Sequence, residues 1–72
     1  MQLSAADKIR IIIRKREMTL ADLSDKTKQT RQNLSNKMTL DNFRVKELEN
    51  IANQLNCELE INFVMKDTQE KI

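Results

Sequence analysis

"MTLADLSDKTKQTRQNLSNKM", residues 18–38, carries two helix starts with a sharp bend between them. Thr19 followed three residues later by Asp22 is a start signal, because a hydroxyl and a carboxylate at that spacing can each bond a free amide of the first turn. Thr30 is a second start. The first short helix turns Leu20, Leu23 and Thr27 inward, and the second has Leu34 as its one firmly apolar position, with Met38 a turn later. The bend falls near Lys28, where a left-handed backbone normally favours glycine, and the chain contains neither glycine nor proline. A helix of about eight residues does not persist alone in water. The flanking sequence must therefore supply a core.

It does. "SAADKIRIIIRKRE", residues 4–17, begins with Ser4 as N-cap and Asp7 in a near capping-box position. A helix from about Ala5 to Arg16 places Ala5, Ile9, Ile12, Ile13 and the stem of Arg16 on one face and leaves Ile11 outside. "FRVKELENIANQL", residues 43–55, has Val45, Leu48, Ile51, Ala52 and Leu55 at helical spacing. Phe43 and Leu48 there are placed as a hydrophobic staple around Arg44. Arg44 has no side-chain acceptor for the free amides, which turns the expectation of a cap to Asn42.

Beyond Asn56 the period changes from 3.6 to 2. Cys57, Leu59, Ile61, Phe63 and Met65 alternate with Glu58, Glu60, Asn62, Val64 and Lys66, the pattern of a strand with one apolar face. "KDTQ" follows as a turn, and "EKI" returns as a short strand or frays. The expected organisation is a helical domain over residues 1–56 and a β-strand or hairpin extension over 57–72. Cys57 reads as a small apolar residue on the inner face of that strand.

Composition narrows the function. The 72 residues suffice for one small domain. With no histidine and one cysteine, the usual zinc sites, an internal disulfide and Ser–His or Cys–His nucleophiles are excluded. No glycine-rich phosphate loop is present, so neither an enzyme nor a cofactor is expected. The longest aliphatic run, Ile11 to Ile13, is far short of the roughly 20 residues that span a bilayer. No signal peptide is legible, and the expected location is cytoplasmic. Net charge is only +2, but residues 1–56 hold 11 Lys/Arg against 7 Asp/Glu, net +4, and residues 57–72 hold 2 against 4, net −2. The basic excess lies on the helical part, which admits either a solvated surface or a polyanion partner.

At this point the residues support a specific resemblance. Residues 18–38, continued through "FRVKELENIANQL", resemble the Cro and phage-repressor type, or xenobiotic-response-element, helix-turn-helix family over roughly residues 4–56. The resemblance implies a mainly α fold, a four-to-five-helix lambda-repressor-like DNA-binding domain, here with the C-terminal strand or hairpin. Departures from the family's pattern are Lys28 at the glycine position of the turn, Ser24 in place of alanine, and Gln29 and Lys37 where apolar residues are usual. Met38 is placed to restore the apolar contact.

The resemblance implies a sequence-specific transcriptional regulator, most simply a homodimeric repressor, with the helix at about 30–38 in the major groove of a double-stranded operator. Arg31, Gln32, Asn33 and Asn36 are the expected base contacts, since arginine suits guanine and amides suit adenine. Thr30, Ser35, Lys37, Asn42, Arg44 and Lys46 are the expected phosphate contacts. Leu59, Ile61 and Phe63 are the expected dimer contacts, through antiparallel pairing of the strand with that of a second subunit. Folding of the strand onto its own domain, with dimers formed elsewhere as through Ile11, stays open. So do two other functions: an antitoxin that binds its own operator, with a toxin or anti-repressor as protein partner, and an interaction module that has lost DNA binding.

Overall fold

In a computed structural model describing residues 3–72, the chain forms four helices, α1 (Ala5–Lys15), α2 (Leu20–Lys26), α3 (Arg31–Leu40) and α4 (Val45–Gln54). The first three starts are those the sequence marks. Ser4 with Asp7 and Thr19 with Asp22 each close a full capping box. The Thr30 hydroxyl accepts the Asn33 amide at 3.0 Å. The start of α4 differs from expectation. Arg44 occupies the N-cap position with no side-chain cap, so Asn42 does not fill that role. Val45, placed inward by its spacing, is 51% exposed, because it opens the helix at the loop while the half-buried Phe43 packs on the core beside Leu48.

Every helix ends without glycine. Glu17, Lys28, Asp41 and Asn56 adopt φ of 55°, 57°, 51° and 57°, the left-handed region. At the bend the Lys28 amide donates to the Asp25 carbonyl at 3.2 Å and the Gln29 amide to the Ser24 carbonyl at 3.0 Å. This is the double closure of a Schellman turn. The same pattern recurs at Glu17–Met18 and Asn56–Cys57. A left-handed non-glycine residue costs roughly 1–2 kcal/mol, and satisfying otherwise orphaned helix carbonyls offsets it. Lys28 is thus a true corner of about the ordinary geometry, built without the usual residue.

The core comprises Ala6 and Ile9 of α1, Leu23 of α2, Leu34 and Met38 of α3, and Ile51 with Leu55 at the end of α4. Leu23 and Leu34 are fully buried, and α2 packs against both α3 and α4. Met38 takes the place expected for it. Buried Ser24 satisfies its hydroxyl by donating to the Ala21 carbonyl at 2.7 Å, so the departure from alanine leaves no orphaned group. Two side chains pin α1 at its ends through long-range bonds. The Asp41 carboxylate accepts the Ala6 amide at 2.9 Å, and the Arg16 guanidinium donates to the carbonyls of Leu55 at 3.2 Å and Asn56 at 3.4 Å. Each meets helix-end groups of favourable sign. Ile11 lies exposed, as its spacing requires.

The expected strand does not form. Among the described residues the only β pairing is an isolated antiparallel bridge, Val64 with Lys71, across a turn at 66–68. The hairpin through "KDTQ" is real but short, and Cys57 to Asn62 belong to no regular element. Leu59, Ile61 and Phe63 are 37%, 54% and 77% exposed. The physical reason is pairing: a strand needs a neighbour for its amides and carbonyls, and the short return segment reaches back only to Phe63.

Candidate nucleic-acid interface

Once Leu34 and Met38 turn into the core, the rest of α3 is committed. At about 100° per residue, Gln32 and Asn36 stand about 160° to either side of Leu34 and so point directly away from the domain. Both are exposed, as are Arg31 and Asn33 at the helix start. The side chains are ordered among themselves. Gln32 Nε2 donates to Asn36 Oδ1 at 3.1 Å. Asn33 Nδ2 donates to Gln29 Oε1 at 3.3 Å, and Gln29 Nε2 in turn donates to Thr27 Oγ1 at 2.8 Å. Gln29, polar where an apolar residue was expected, thereby ties the turn to the first turn of α3.

The Gln32–Asn36 bond leaves Gln32 with its carbonyl oxygen and one N–H unengaged. These are the two groups that pair with the N6 amine and N7 of adenine in the major groove. The bond to Asn36 restrains the rotation of that amide.

The expected phosphate ligands divide into two groups. Asn42, Arg44 and Lys46 are exposed around the start of α4, whose first amides have no side-chain cap. That combination of unengaged amides and flanking cations suits a phosphate oxygen. Thr30 stands exposed at the start of α3, and Ser35, half-buried, lies on its flank. Lys37 is different. Its Nζ lies 2.6 Å from Glu47 Oε2, with both side chains about three-quarters covered. It braces α3 against α4. Glu47 gave no sign of this role in the sequence, because the pair joins two helices at a separation without periodic meaning. The Gln32–Asn36 and Gln29–Asn33 bonds, by contrast, follow the i,i+4 rule and were open to a closer reading.

Residues 8–60 match the Cro/C1-type HTH DNA-binding domain. The chain belongs to the Cro/C1-type helix-turn-helix family. The match covers well over half of the sequence and includes all of α2 and α3, and the four helices are the lambda-repressor-like fold the family implies. What the family model describes is a DNA-binding domain, not a catalytic one. Neither a curated protein nor a solved structure matches the chain. No helix among the described residues is long and apolar enough to cross a membrane.

Proposed function

We propose that this Cro/C1-type domain is a sequence-specific transcriptional regulator, a homodimeric repressor working in the cytoplasm that lays α3 of each subunit in the major groove of a two-fold operator. The observation that carries the reading is the outward Gln32–Asn36 amide pair, opposite the buried Leu34 and Met38. Arg31 and Asn33 read the neighbouring bases. Thr30, Ser35, Asn42, Arg44 and Lys46 hold phosphates and fix the register without reading sequence. The segment after Asn56 is the dimerisation element, with Leu59, Ile61 and Phe63 as its contacts. A dimer sets two α3 helices on half-sites about 34 Å apart, one turn of duplex. Selection from random duplex DNA tests this. The native chain should enrich a palindrome with adenine at a position that loses its preference in the Gln32→Ala variant, and failure to enrich any sequence would refute it.

A further inference from the structure

The hairpin fixes which edge of the C-terminal segment is open. Phe63 exchanges both backbone bonds with Ile72, at 3.0 and 2.8 Å, and the Met65 amide donates to the Glu70 carbonyl at 2.9 Å. Alternate residues of an antiparallel strand direct their amides and carbonyls to opposite sides. With Phe63 and Met65 turned toward the return segment, Asn62 and Val64 face away from it. Among the described residues, neither they nor Glu58 and Glu60 make a hydrogen bond through the backbone. The odd-numbered side chains carry the apolar character. Leu59 and Ile61 rim a groove of about 370 Å³ floored by Ile9, Ile12, Leu48 and Ile51, while Phe63 stands exposed beyond it.

We propose that residues 58–66 pair antiparallel with the same residues of a second copy across this open edge, with the two-fold axis at Asn62. The proposal rests on the homodimer reading and adds its register. With the axis there, Ile61 faces its partner's Phe63, Leu59 faces Met65, Glu60 faces Val64, and Glu58 faces Lys66. The apolar residues meet on one face, where Phe63 reaches the groove beside its partner's Ile61. Two Glu58–Lys66 ion pairs close the ladder ends, and the Asn62 amides meet on the axis. Other registers lose these matches. Centring on Ile61 sets Glu58 against Val64 and Lys66 against Asn56. Centring on Glu60 opposes two like charges. Centring on Phe63 keeps a Glu60–Lys66 pair but sets Leu59 against Asp67 in the turn. Opposite charges directly across a ladder stabilise it and like charges destabilise it.

Single cysteines introduced into the full chain carrying Cys57→Ser test the register. Directly opposed residues have Cα atoms about 4.5–5.5 Å apart, within disulfide range, whereas diagonal neighbours are too distant at about 7–8 Å. Asn62→Cys should therefore form a covalent dimer under mild oxidation, and Ile61→Cys and Phe63→Cys should not. A charge exchange at the solvent-facing positions gives an independent readout that does not depend on the cysteine variants folding. Glu58→Lys should weaken dimerisation on the order of tenfold, and adding Lys66→Glu should recover most of the loss. If sedimentation finds the native chain monomeric at micromolar concentration, the homodimer reading fails and the register with it. If the chain is dimeric but Ile61→Cys or Phe63→Cys cross-links as fully as Asn62→Cys, or the exchanged charges do not recover, the register alone is overturned.

Discussion

Replacing Arg44 should distinguish the proposed phosphate ligands at the start of α4 from Lys37, which is paired with Glu47. Arg44 and Lys46 flank an uncapped helix start, so a dimer presents four such cations to the operator backbone. Each phosphate neutralised contributes about −0.9 to the slope of log affinity against log salt, and these four contribute about −3.6. From about 50 to 200 mM salt that amounts to a roughly 150-fold loss of affinity. Arg44→Ala removes two contacts per dimer and should flatten the slope by about 1.8 while leaving the preferred sequence unchanged. Lys37 is the internal control, because Glu47 holds its ammonium at 2.6 Å. Removing both partners, Lys37→Met with Glu47→Gln, avoids leaving a half-buried carboxylate alone, and should leave the slope within about half a unit of native. Fluorescence anisotropy of a labelled operator across a salt series measures both. A double variant that flattens the slope as much as Arg44→Ala would show that the ion pair opens on DNA and that Lys37 contacts phosphate as Arg44 does.

Gln32→Ala should cost about 1–3 kcal/mol on the selected operator and little on nonspecific duplex; Asn36→Ala should blur the preference at the same base, and a shift at a different base would break the link between the two amides. Lys28→Gly relieves a left-handed residue at φ 57° and should raise unfolding free energy by about 1 kcal/mol in urea titration, whereas an unchanged midpoint would mean that the corner carries no strain. The Thr19 amide, which donates to the Asp22 carboxylate at 3.0 Å, with the Thr19 hydroxyl beside it, holds its pKa below the usual 3.8. Its stabilising contribution is therefore complete above that value and lost as pH falls below it. In Asp22→Asn that acid-limb contribution should vanish from a pH series of melting temperatures. Leu34→Ala, which empties a fully buried site, should destabilise the domain by about 3–5 kcal/mol, seen as loss of the cooperative helical transition by circular dichroism.

Local chemistry made much of this protein legible without coordinates. Ser4, Thr19 and Thr30 announce three helix starts because a cap is a bond between residues three apart, and the spacing of Ile9, Leu23, Leu34, Met38, Ile51 and Leu55 gives the core because helical periodicity sorts side chains by face. The exposed residues of α3 follow from the same rule once Leu34 is turned inward. What distance along the chain conceals, only the tertiary structure decided. Lys37 has the charge and position of a phosphate ligand, and only the fold shows it paired with Glu47 on another helix. Asp41 and Arg16 bond the ends of helices remote in sequence. Val45 fits its helix's apolar spacing, but the packing of α4 leaves it outside. The C-terminal alternation shows the limit most clearly: period 2 states which side chains share a face, but a strand exists only where another backbone meets its amides, and within one chain that meeting stops at Phe63.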